Sequence, residues 1–173
     1  MVRRLNLGCG ENPLSGFLNI DYRGGDAYAI AERLPFKDRS FDFVYASHVL
    51  EHIVNLDGAM REIHRVLTPG GILEIRVPFG LRSLYVPFHV HAFNLRSFDF
   101  FTKQSSGFQG GPIFELVERR ISDWWLPHRW HLERYFPAIF RLISTVQEDG
   151  KRHQVLPSGI RQEIHARLRK PIS

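Results

Sequence analysis

Leu5-Asn-Leu-Gly-Cys-Gly10, followed by Phe17-Leu-Asn-Ile-Asp21, decides how this chain folds. A short apolar run ending in Gly-x-Gly reads as a buried strand that turns sharply into a loop. Glycine lets the backbone turn at positive φ and lets a ligand approach the bare main chain. The second run ends in an acidic residue, whose carboxylate can accept hydrogen bonds from the two hydroxyls of a ribose. Two such strands, parallel and adjacent, place a nucleoside pocket at their carboxyl ends. These residues leave open whether the nucleoside belongs to a dinucleotide or to S-adenosylmethionine. Pro13 stands where the last glycine of a Gly-x-Gly-x-x-Gly fingerprint would fall, which weighs against a dinucleotide.

Further along, Asp26–Ile30 reads as a short strand, and Phe41–Ala46 alternates and is rich in β-formers, as a buried strand does. Ser47 to His52 opens a short helical turn or loop. Asp57 to Leu67 reads as a helix with Met60, Ile63, Val66 and Leu67 on one face, capped by Asn55 or Asp57. Thr68-Pro-Gly-Gly71 is a stop signal, and Ile72–Val77 is the next strand, ended by Pro78. Strands and helices in this alternation imply parallel pairing through right-handed crossovers. The expected fold is therefore α/β: a Rossmann-like, doubly wound, mostly parallel sheet with helices on both faces. Ten residues separate Gly10 from Asp21, and Pro13 and Gly16 fall among them. Both disfavour a helix interior, so the first crossover helix is expected to be shortened or missing.

Beyond Pro78 the pattern loosens. Ser97–Phe101 looks like the start of an aromatic helix, Phe114–Ile121 alternates like a strand, and Tyr135–Ile143 reads as a helix interrupted at Pro137. The expected organisation is one domain over residues 1–145, with 79–131 forming an acceptor-side lid, and a basic C-terminal tail over 146–173.

Composition narrows the class. A chain of 173 residues with 43% hydrophobic and 24% charged residues suits one soluble globular domain. No run approaches the ~20 apolar residues of a membrane span, so no membrane partner is expected. Met1-Val-Arg-Arg4 enters the first strand directly, which leaves no room for a signal peptide, and the single cysteine forbids an internal disulfide. Together these point to a cytoplasmic protein. Residues 1–150 hold 17 Lys/Arg and 17 Asp/Glu, so the whole net charge of +5 lies in residues 151–173. The tail is expected to be a solvated, partly helical terminus. A basic arm for nucleic acid is the weaker alternative, because no Lys/Arg stripe continues it across the domain.

Four segments in order carry a family resemblance: Leu5-Asn-Leu-Gly-Cys-Gly10, Asn19-Ile-Asp21, Leu34-Pro-Phe36 with Ser40-Phe-Asp-Phe-Val-Tyr-Ala-Ser-His-Val-Leu-Glu-His52, and Glu62-Ile-His-Arg-Val-Leu-Thr-Pro-Gly-Gly71. They resemble the class I, Rossmann-like S-adenosylmethionine-dependent methyltransferases, in the short small-molecule branch, over about residues 3–78. The resemblance implies S-adenosylmethionine as cofactor and a small molecule or glycan intermediate as acceptor. It implies that Gly8, Cys9 and Gly10 line the methionine and ribose through backbone atoms. By the same resemblance Asp21 binds the ribose hydroxyls with Tyr22 beside the adenine, and Leu34 covers the adenine ring. Ser47 and His48 would face the sulfonium and the acceptor. Two departures stand out: Asn6 where family members carry an acidic residue, and the shortened first crossover. A homodimer in which a neighbour covers the cofactor is compatible with that gap. A cofactor-binding protein without turnover and a nucleic-acid methyltransferase are the rival readings.

Methyl transfer needs alignment, desolvation and, for hydroxyl or carbon acids, a base. His48 and His89 are the candidate catalytic residues. His89 lies in Phe88-His-Val-His-Ala-Phe93, on the loop after the fifth strand, where open α/β sheets bind ligands. His48 with His52 lacks a third ligand at a convincing spacing, and His89 with His91 could ligate a metal if His48 or His52 lay nearby; that is the weaker reading, and no metal site is expected.

Overall fold

Leu5 and Leu7 on β1 (Arg4–Leu7) are buried, and so are their neighbours Ile20 on β2 (Leu18–Asp21) and Val44 and Ala46 on β4 (Phe41–Ser47). Strands apolar on both faces belong in the middle of a parallel sheet, and β1 pairs in parallel with both β2 and β4. The computed structural model describes residues 3–102, 114–123, 144–148, 151–155 and 162–172. β3 (Ala27–Tyr28) forms the edge beside β2, and β5 (Leu67–Pro78) follows β4 in parallel. The seven-stranded order is β3-β2-β1-β4-β5-β9-β6, with β6 spanning Glu115–Asp123 and β9 spanning Gln162–Arg169. β9 runs antiparallel to both β5 and β6, and the rest of the sheet is parallel. A separate hairpin pairs β7 (Ser144–Glu148) with β8 (Lys151–Val155).

Among the described residues one α-helix, α1 (Leu56–Val66), packs on the sheet. Ala59, Met60, Ile63 and Val66 are its buried stripe, the spacing of an amphipathic helix against a core. Asn55 caps its start by accepting from the Gly58 N–H at 2.9 Å. Three 3₁₀ turns cover Leu50–His52, Leu81–Tyr85 and Ser97–Phe101, the last standing where the sequence suggested a helix start. Residues 135–143 and the tryptophans Trp124, Trp125 and Trp130 lie outside the described residues.

The first crossover is a loop of turns, as the proline and glycine required. Asn19 replaces the missing helix as its organiser. Its amide donates to the carbonyls of Leu14 and Phe17, and its Oδ1 accepts from Leu14 N–H at 2.7 Å and from Asn6 Nδ2 at 2.9 Å. Asn6 is thus no weakened acidic position; it donates where a carboxylate could not.

The C-terminal reading needs correction. The expected solvated, partly helical terminus is, over Gln162–Arg169, a strand inside the sheet with Ile164, Ala166 and Leu168 buried. Its charges are not free: Arg167 pairs with Glu74 at 2.8 Å, Arg169 with Glu115 at 2.7 Å. Lys170 Nζ donates to the carbonyls of His64 and Leu67, satisfying the last turn of α1.

Candidate functional site at the carboxyl edge

The carboxyl ends of β1, β2, β4 and β5 share one edge of the sheet, and the order reverses at β1, between β2 and β4. Open α/β sheets bind ligands at such a switch point. Because β9 is antiparallel, its first residues reach the same edge: Glu163 lies opposite Pro78 at the end of β5.

Gly8 and Gly10 both adopt positive φ, at 68° and 49°. A side chain on Gly8 would strike Val49, whereas a Cβ on Gly10 would meet nothing within 4 Å. Gly8 is therefore required by packing, and Gly10 borders open space. The N–H groups of Gly8 and Cys9 both donate to Ile20 O, at 2.9 and 3.0 Å, and Gly10 N–H donates to Asp21 Oδ2 at 3.0 Å. All three amides face inward, so this loop offers a ligand carbonyls and bare Cα surface, not donors. Cys9 is buried, and burial followed by the charge of Asp21 pushes its thiol pKa up, which suits a packing residue and not a nucleophile.

Asp21 is half-buried at the end of β2. Besides the Gly10 amide, it takes the Arg23 N–H on Oδ1 at 3.0 Å, so each oxygen is oriented by one bond and keeps lone-pair capacity for a hydroxyl. Tyr22 beside it is exposed, with the Arg23 guanidinium 4.8 Å over its ring. Leu34 does not fit its expected role over an adenine ring. It is 4% exposed in the core, and its N–H is committed to Glu62 Oε2 at 2.8 Å. Glu62 is in turn gripped by Arg65, which also donates to the carbonyls of Leu34 and Phe36. Two of the recognisable segments are thus clamped together: Glu62 and Arg65 on α1 pin the Leu34-Pro-Phe36 turn.

Ser47 ends β4, half-buried, and His48 follows at a left-handed φ of 53°. A non-glycine residue held there signals a position over-determined by its surroundings. The surroundings are two buried carboxylates. His48 Nε2 donates to Glu163 Oε2 at 3.0 Å, and Nδ1 lies 3.4 Å from Glu51 Oε1. The Glu163 bond foremost, then Glu51, pushes the His48 pKa up to about 9 against the opposing effect of burial. At neutral pH His48 is therefore an imidazolium, which corrects the expectation of a basic imidazole there. Burial raises the Glu163 pKa, but the bonds from His48 and His165 outweigh it and leave it below the ordinary value. His165 also bonds Glu163 Oε1, and Ser122 Oγ stands 3.4 Å from it.

His89 lies beside this cluster, near Glu51. It is half-buried, its ring 4.6 Å edge-to-face from His52, and its Nδ1 has no hydrogen-bond partner. His91 turns away to bond Ile53 O at 2.8 Å. Val90 and His91 N–H both donate to Glu51 O, which docks the loop after β5 onto the Leu50–His52 turn. The structure therefore brings His48 and His89 to one side of the edge and Gly8, Cys9, Gly10, Asp21 and Tyr22 to the other. Sequence reasoning missed Glu163 and His165, although the alternation of Ile164, Ala166 and Leu168 with polar residues was a strand signal.

The fold and these motifs have clear counterparts. Residues 9–75 match the family model described as a methyltransferase domain. The match covers 67 of the 173 residues. Among solved structures, a Bacillus halodurans C-125 protein assigned as a methyltransferase shares its fold, with TM-score 0.60 at 16% identity over 98% of this chain and 93% of that one. A demethylmenaquinone methyltransferase of Chlorobaculum tepidum is 41% identical over 73 residues, covering 39% of this chain and 28% of the relative. A sterol 4-C-methyltransferase of Caenorhabditis elegans is 51% identical over 43 residues, covering 25% of this chain and 13% of the relative. The chain spans little more than a quarter of the length of such relatives at most. The family uses S-adenosylmethionine, and the site fits it on two observations. The oriented Asp21 carboxylate has room for ribose hydroxyls, and the space above Gly10 is what a side chain there would fill.

Proposed function

We propose that this chain is an S-adenosylmethionine-dependent methyltransferase acting on a small molecule with an apolar body. The observation that carries the reading is the oriented Asp21 carboxylate at the switch point, with the His48–Glu51–Glu163 cluster on the acceptor side. When bound, S-adenosylmethionine supplies a methyl group on a sulfonium, which an acceptor nucleophile takes by in-line displacement as its own proton departs. Asp21 and the Gly8–Gly10 loop fix the nucleoside, and Tyr22 stands beside the base. Glu51 and Glu163 flank His48 on the acceptor side, two buried carboxylates that hold and orient its ring. His48 holds and orients by charge and does not take the acceptor's proton at neutral pH. His89, half-buried on the loop after β5, borders the acceptor side.

An apolar acceptor suits the loop after β5, where Leu81, Leu84, Tyr85, Val86, Phe88 and Val90 are exposed around His89. Apolar patches rimmed by polar groups mark binding surfaces. Relatives named for sterol and menaquinone chemistry support the same class. The ion pairs of Arg167 and Arg169 with Glu74 and Glu115 speak against a nucleic-acid arm. A reduced, buried Cys9 suits a cytoplasmic protein.

Methyl-labelled S-adenosylmethionine incubated with sterol, quinol and phenol acceptors, and separately with sugars, tests the reading. Label in the apolar products, lost in Asp21→Ala, is the expected result. Label in sugars alone would overturn the apolar acceptor, and cofactor binding without transfer to any acceptor would leave a non-catalytic binder.

A further inference from the structure

Glu51 is the most deeply placed acid at the carboxyl edge. Its side chain is 1% exposed, and neither carboxylate oxygen has a hydrogen-bond partner. His48 lends it charge at 3.4 Å without an aligned bond. A carboxylate this deeply buried, with only one loosely placed imidazolium beside it, keeps capacity for a further cation or donor. Two imidazoles stand beside it. One ligand atom each from Glu51, His52 and His89 lies within 4.8 Å of the other two. His52 Nδ1 donates to Phe88 O at 3.2 Å, which leaves its Nε2 as the lone-pair nitrogen. A backbone carbonyl that fixes the tautomer of a histidine is the usual outer support of a metal ligand. His89 Nδ1 is buried with no partner of its own.

We propose that Glu51, His52 and His89 form a three-ligand site for a zinc-class divalent metal ion, which clamps the loop after β5 to the Leu50–His52 turn. Glu51 and His52 are neighbours on the Leu50–His52 turn, and His89 joins them from the loop after β5. Two imidazoles and one carboxylate suit zinc and its neighbours; calcium and magnesium want oxygen throughout. A tetrahedral ion with bonds of about 2.1 Å holds its ligand atoms about 3.4 Å apart. Closing from the observed spacing needs movements on the order of 1 Å, which the exposed His52 and the loop-borne His89 can make. Three protein ligands leave one position open on the acceptor side. Metal binding here needs no methyl donor, so it stands or falls separately from the proposed activity.

The test is a cobalt(II) titration of the tag-free, chelator-stripped chain, followed by zinc displacement. One equivalent per chain with the visible bands of four-coordinate cobalt is expected. His52→Ala, His89→Ala and Glu51→Gln should each weaken binding by roughly tenfold or more. His52 is exposed, so its variant folds and keeps the test decisive if Glu51→Gln does not. A faint octahedral spectrum, or binding unchanged in His52→Ala and His89→Ala, overturns the site. S-adenosylmethionine affinity measured on the same samples separates a failed metal site from a failed methyltransferase.

Discussion

Asn19 shows how one side chain can stand in for an element. It closes the first crossover from inside, tied to Asn6, Leu14, Phe17 and, through Nδ2 at 3.1 Å, Asp26. Replacing it strips several buried groups of their partners at once. Asn19→Ala should lower unfolding free energy by about 3 kcal/mol, read from the denaturation midpoint. Asn19→Asp should cost a similar amount, because a carboxylate cannot donate to the Leu14 and Phe17 carbonyls. An unchanged midpoint in both would mean that the loop is held from elsewhere. Asp21 stands at the opposite pole: its bonds to Gly10 and Arg23 orient it more than they stabilise the fold, so its loss should be felt by a ligand.

At the scale of elements, the clamp between α1 and the Leu34–Asp38 turn rests on Glu62 and Arg65. Arg65 foremost, with the Leu34 amide adding to it, holds the Glu62 pKa below its ordinary 4.5, and the group is mostly buried. A depressed carboxyl contributes stability above its unfolded value that is lost as pH falls through the folded one. Glu62→Gln should therefore cost about 1 kcal/mol at pH 7, with the difference from wild type closing as pH falls below the ordinary 4.5. Thermal melts across that range check it, and a difference that persists in acid would contradict the clamp. The strands up to Pro78 and α1 were legible because their apolar spacing is local. Leu34 was not: it lies in a recognisable segment, but its burial depends on Glu62, 28 residues away. Glu163 was hidden for a related reason, since charge counted over residues 151–173 masked the alternation of β9. His48 was found, but its protonation is set by two carboxylates, one of them 115 residues distant.

Over the whole molecule, the antiparallel β9 links the nucleoside half of the sheet to β6 and carries Glu163 to the site. Removing residues 162–173 deletes both ladders of β9 and the cap on α1. The truncated chain should lose its cooperative unfolding transition by circular dichroism, since a buried central strand cannot be replaced by solvent. A melting temperature within a degree or so of wild type would instead describe a dispensable tail. The same placement explains why the net charge of +5 does not describe a binding surface: much of it closes the sheet.

Calorimetric titration of S-adenosylmethionine, its demethylated product and NAD into wild type and Asp21→Ala tests most directly whether Asp21 beside the glycine loop holds a nucleoside cofactor. The first two should bind wild type and lose roughly 100-fold in the variant, the loss of two charge-assisted bonds, while NAD should not bind. Equal affinity of both proteins for S-adenosylmethionine, or binding of NAD in its place, would contradict it.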